Sequence, residues 1–105
     1  RYCEEAPGLG LTLDPSHYAA GPYWEDGFDQ VLPYVKHLHA RGAGRSWDDV
    51  QMPAGEGVID YERLIGRLVE AGYTGDVSVE YVDSMPGVDH AREAGRMRKV
   101  LEKLV

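Results

Sequence analysis

The sequence predicts an α/β fold in which parallel strands alternate with outer helices. Three observations carry that expectation. Short stretches of strand periodicity and longer stretches of helix periodicity alternate along the chain, strand then helix, three times over. That order belongs to parallel strands joined by crossover helices. In the first and last strands, aliphatic residues occupy one parity, while the other holds small or polar residues and ends in an acid. Such a face suits the interior of a barrel better than a flat, hydrophobic sheet. A doubly wound sheet is the second candidate, but the Gly-rich phosphate fingerprint that usually follows its first strand is absent.

Leu9, Leu11 and Leu13 alternate with Gly10, Thr12 and Asp14, which is strand spacing. Pro15 ends that strand by removing a ladder donor, and a Gly- and Pro-rich loop is expected from Ser16 to Pro22. Trp24, Phe28, Val31 and Leu32 share one helix face, with Pro33 as its stop. Tyr34 to Ala40, aromatic and β-branched, reads as the second strand, and a long polar loop is expected from Arg41 to about Val58. Tyr61, Leu64, Ile65, Leu68 and Val69 mark the next helix, with Asp60 as N-cap and Gly72 just past its end. After the turn Thr74-Gly75-Asp76, Val77, Val79 and Tyr81 alternate with Ser78 and Glu80 in a third strand. The last helix, beyond Pro86 and Gly87, carries Met97, Val100, Leu101 and Leu104 on one face, with His90, Arg92, Arg96 and Arg98 read as solvated.

The chain has 105 residues, 11 basic against 18 acidic, for a formal charge of −7. There is no apolar run of membrane-spanning length and no basic-then-apolar leader. A membrane or secretory role is therefore not expected, and the protein is expected in the cytoplasm. The single cysteine, Cys3, cannot form an internal disulfide. The acidic balance weighs against nucleic acid, whose phosphates need clustered Lys and Arg.

In parallel α/β folds the chemistry sits at the C-terminal ends of the strands. The first strand ends in Asp14, with His17 three residues on; the second ends in His39, after His37; the third carries Glu80, with Asp83 just beyond. Each has an ordinary reading as well. Asp14, before Pro15 and Ser16, also fits a turn, and His39 alone fits a hydrogen-bonded, half-buried histidine. Glu80 is the least ordinary, because a carboxylate between Val79 and Tyr81 costs stability unless it is paired or liganded. Together the three offer a carboxylate–imidazole–carboxylate set for a divalent cation. Two inward carboxylates would otherwise repel each other, and a bound cation removes that cost.

Four ordered stretches extend this reading: L-T-L-D-P-S-H (Leu11 to His17), V-K-H-L-H (Val35 to His39), G-E-G-V-I-D-Y (Gly55 to Tyr61) and G-Y-T-G-D-V-S-V-E-Y (Gly72 to Tyr81). The chain resembles the C-terminal part of the sugar-phosphate isomerase/epimerase family, which shares a TIM barrel with xylose isomerase and endonuclease IV. The resemblance implies that Asp14, His39 and Glu80 are three of four metal ligands, for Mn²⁺ first, with Mg²⁺, Co²⁺ or Zn²⁺ in relatives. It implies that His17 contacts substrate, that Glu80 doubles as an acid/base with a second Glu on an earlier strand, and that Arg45 binds substrate from the loop after His39. Trp47, in the same loop, is the expected lid over a sugar face.

By that likeness, residues 1–105 are three βα units of a (β/α)₈ barrel, its sixth to eighth. Such a barrel needs about 250 residues, so the 105 here are expected to be a segment, incomplete and inactive alone. The fourth ligand, a Glu at a strand end about 30 residues before Asp14, is expected upstream of Arg1. The implied activity is isomerisation or epimerisation of a sugar, sugar phosphate or polyol, with proton transfer through an enediolate held by the cation. A homo-oligomer of the full-length protein fits the same reading. Two departures matter. Many relatives read H-x-K-D from the histidine on where this chain reads H-A-R-G, so Gly42 replaces an acid. The Asp-x-His pair that endonuclease IV uses in the following loop is absent between Arg41 and Gly57, which speaks against a phosphodiesterase. A barrel segment without catalysis is the remaining alternative.

Overall fold

A computed structural model describes residues 2–21, 30–82 and 89–104. The elements run α1 (Tyr2–Glu5), β1 (Leu11–Leu13), α2 (Pro15–Ala20), β2 (Val35–Ala40), α3 (Tyr61–Glu70), β3 (Val77–Val79) and α4 (His90–Glu102). Two short 3₁₀ turns lie at Leu32–Tyr34 and Trp47–Asp49. The strands form one parallel sheet in the order β1-β2-β3. Leu13 pairs with Leu38, and His39 with Ser78. A register shift between Leu11 and Thr12 marks an irregularity in β1.

The pleat sorts the two faces. On β2, Leu38 and Ala40 are buried, while His37 and His39 on the opposite parity are half-buried. Leu13, Leu38 and Ala40 join Leu64, Ile65 and Leu68 of α3 and Met97 and Leu101 of α4 in a single core. The hydrophobic effect thus places the helices against one face and leaves the polar parity for the site.

Both ends of α3 follow the sequence expectation. Asp60 Oδ1 accepts from the Arg63 N–H at 3.1 Å. At the other end the Gly72 N–H donates to Val69 O (3.0 Å) and the Tyr73 N–H to Leu68 O (2.9 Å). That pair of bonds is a Schellman ending, and it needs the positive φ of +91° that Gly72 supplies.

Three expectations are corrected. The loop expected from Ser16 contains helix α2, which Asp14 caps and Pro15 opens, since proline at the first helical position loses no needed donor. Val31 and Leu32 belong not to the end of an α-helix but to the entry of the 3₁₀ turn that holds Pro33 and leads into β2; the rest of the expected helix, Trp24 and Phe28 included, lies outside the described residues. The loop after β2 is not solvated throughout: Arg41, Gly42, Ala43, Gly44, Gln51 and Ala54 are buried. It folds back through bridges from Gly42 to Met52 and from Ala43 to Gly57, with the Val58 N–H on Ala43 O at 2.8 Å. Separately, the core-facing side of α4 carries a buried acid, Glu93, 7% exposed, one turn before Met97, while Arg92, Arg96 and Arg98 are exposed as expected.

Glu93 Oε2 accepts from the Ala54 N–H at 2.8 Å, and Arg96 Nη1 lies 3.0 Å from Oε1. The Ala54 N–H first, then Arg96, hold the Glu93 carboxyl below its ordinary value of 4.5, against the opposing effect of burial. A lowered folded-state value means stability that is present above the ordinary carboxylate range and is lost as pH falls through the lowered value. Thermal midpoints followed from pH 7 into the acid range test this. In Glu93→Gln the midpoint is expected to start lower at pH 7 and to fall less steeply on acidification; an unchanged acid slope would remove Glu93 from the acid response.

Candidate metal centre

Each strand delivers one donor to the same rim. Asp14 directly follows β1 in extended backbone and also caps α2. Its Oδ1 accepts from the Ser16 N–H (3.0 Å) and the Ser16 hydroxyl (2.5 Å). His39 stands on the polar parity of β2. Glu80 directly follows β3, fixed there by its N–H on Ala40 O at 3.0 Å. One ligand atom from each of Asp14, His39 and Glu80 lies within 4.8 Å of the others, all three half-buried.

The donor set fits a divalent cation. Oxygen and imidazole ligands at about 2.0–2.2 Å from one ion stand within roughly 4.4 Å of each other, so small side-chain shifts close the arrangement. His39 Nδ1 and Glu80 Oε2 are 3.0 Å apart. Among the described residues this trio is the one group of three acids, histidines or cysteines whose ligand atoms converge this closely. Asp83 lies outside them.

One layer deeper, His37 Nε2 lies 2.8 Å from Ser78 Oγ, and the His37 ring meets the His39 ring edge-on at 5.3 Å. Toward solvent, His17 stands on α2 with Nε2 3.6 Å from Asp14 Oδ2 and its side chain 59% exposed. The Trp47 ring is 5.9 Å from that of His17, tilted by 47°. The structure therefore brings Asp14, His39 and Glu80 together and sets His17 and Trp47 at their mouth. Arg45 Nη1 donates to Ala19 O of α2 at 2.8 Å.

Sequence reasoning passed over Arg41. It is 5% exposed. Nη2 lies 3.3 Å from Asp14 Oδ2 and 2.9 Å from Ser16 Oγ, and Nε donates to the same hydroxyl at 3.1 Å. A signal was present: residues 37, 39 and 41 share a parity, so extending β2 by one step puts Arg41 on the ligand face. Two phenols fix the backbone there. Tyr61 Oη accepts from the Arg41 N–H (2.9 Å) and donates to Arg41 O (2.7 Å). Tyr81 Oη accepts from the Gly42 N–H (3.0 Å) and donates to Met52 O (2.9 Å). Burial pushes both phenols above their ordinary value of 10.0, so both remain donors at neutral pH.

The profile of the family described as xylose isomerase-like TIM barrel matches residues 1–104, and the chain belongs to that family. The family includes sugar isomerases and endonuclease IV-like enzymes, and its members often bind divalent metals. The chain is 33% identical over 75 residues to an uncharacterized protein of Methanocaldococcus jannaschii. That match covers 71% of this chain and 26% of the relative, so the chain spans about a quarter of the curated relative it matches. No solved structure matches. No described helix is long and apolar enough to cross a membrane.

Proposed function

We propose that this chain supplies the C-terminal three βα units, sixth to eighth, of a barrel enzyme that isomerises or epimerises a sugar, sugar phosphate or polyol with a divalent cation, Mn²⁺ first. The observation that carries the reading is the convergence of Asp14, His39 and Glu80 within 4.8 Å, from three consecutive strand ends. Asp14, His39 and Glu80 would hold the ion, with a further ligand from elsewhere in the full-length protein. When bound, the ion supplies Lewis acidity, which acidifies the C–H beside a substrate carbonyl.

The rest falls to side chains. Glu80 turns Oε2 to His39, which leaves Oε1 to take the proton from carbon and return it to another face or position. The exposed His17 imidazole orients a substrate hydroxyl or shares the charge that develops on oxygen. Trp47, 61% exposed beside His17, lays an apolar face along the sugar and keeps water away.

The test uses the longest natural form of the protein. Metal content after purification should show a stoichiometric divalent ion. In D₂O, carbon-bound hydrogen next to the carbonyl of a ketose from a panel should exchange, stop exchanging on chelation and resume with Mn²⁺. A full-length protein without a divalent ion, or exchange indifferent to chelation, sinks the reading.

A further inference from the structure

We infer that Arg41 is a positioning residue for the metal centre: it sets the Asp14 carboxylate in its ligand orientation before any cation arrives. The inference rests on the cation reading above and concerns how the site is assembled.

Ser16 takes up Asp14 Oδ1 through both its N–H and its hydroxyl. Oδ2 is the oxygen left for the rim, and Arg41 Nη2 holds it at 3.3 Å. The same nitrogen and Nε both reach Ser16 Oγ, so one hydroxyl links guanidinium and carboxylate. Nη1 lies 3.4 Å from Gln51 Oε1. Gln51 is itself 1% exposed and pairs with the Val82 backbone, donating to O at 3.0 Å and accepting from N–H at 2.8 Å. The arginine therefore connects the end of β1 to the chain just past β3, the two flanks of the ligand set. Its own backbone is gripped on both sides by Tyr61.

A direct role with substrate is the competing explanation, and burial opposes it: the Arg41 side chain is 6% exposed. A role as a mere counter-charge makes the opposite prediction about cation affinity. A positive group next to a ligand oxygen repels a cation, so deleting it should tighten binding. Loss of a partner that orients a ligand should instead weaken binding, by about 10–100-fold. The sign of the change separates the two.

The experiment measures Mn²⁺ affinity of the full-length protein by the electron paramagnetic resonance of free Mn²⁺. Arg41→Met is expected to weaken binding by about 10–100-fold, and Arg41→Lys, which keeps the charge but not the planar fork, to weaken it as well. Ser16→Ala, which removes only the linking hydroxyl, is expected to weaken it by less, and it decides the matter if Arg41→Met does not fold. Equal or tighter Mn²⁺ binding by folded Arg41→Met, or unchanged binding by Ser16→Ala when Arg41→Met is unfolded, overturns the inference while leaving the cation reading in place. Wild-type protein that binds no Mn²⁺ overturns the cation reading and this inference with it.

Discussion

Glu80→Gln is expected to leave the fold intact and to lower turnover by about 10²–10⁴-fold, the usual worth of a positioned acid/base. The amide is nearly isosteric, and its oxygen can still meet His39, which lies 3.0 Å from the carboxylate now. What the amide cannot do is accept a proton from carbon. It is also a weaker ligand for a cation, so the comparison belongs at saturating Mn²⁺, where loss of affinity no longer contributes. Turnover and D₂O exchange on the same ketose should fall together, with a thermal midpoint near that of the parent. Undiminished exchange at saturating Mn²⁺ would take Glu80 out of the proton transfer and leave it only a ligand.

The largest loss of stability is expected at a glycine. Gly57 has φ +99°, and a Cβ built there would stand 2.1 Å from Ala43 O and 2.9 Å from Ala43 N. Both contacts are with backbone, which cannot swing aside as a side-chain tip can. The bridge between Ala43 and Gly57 is what folds the long loop back under the rim. Gly57→Ala therefore adds backbone strain of about 1–3 kcal/mol to overpacking of about 1–3 kcal/mol, or roughly 2–6 kcal/mol together. Gly72 is the internal control: its φ is +91°, yet a Cβ there meets nothing within 4 Å. Gly72→Ala should cost only the strain, so the gap between the two variants in denaturant midpoint measures the clash. Equal losses at the two positions would refute the close approach.

The ligand trio was legible because two local rules coincide at it. Period-two alternation fixes which residues share a face, and the strand-end rule selects Asp14, His39 and Glu80 from that face. Helices α3 and α4 were legible for the same kind of reason, with stripes long enough to show their period. Helix α2 was not. Pro15–Ala20 is too short to repeat an apolar stripe, and its start is written only in the Asp14 cap and the proline that follows it. The buried loop was hidden for a different reason: its partners are remote. Arg41 pairs with groups 25 and 27 residues away, and Gln51 with Val82, 31 residues away. A polar residue buried by a distant partner looks, in a linear reading, like any solvated loop residue. Arg41 is the one member whose parity could have revealed it.

The tyrosine hydroxyls that grip Arg41 and Gly42 also bear on when the rim takes shape. They span 20 and 39 residues of chain, and closing such loops costs entropy that only later packing returns. Tyr61 opens α3 and Tyr81 follows β3, so neither phenol is in place until α3 has docked and β3 has paired. Completion of the rim is therefore expected to follow pairing of the sheet that carries its ligands. The amide hydrogens of Arg41 and Gly42, each held by one phenol, are natural reporters of that last step.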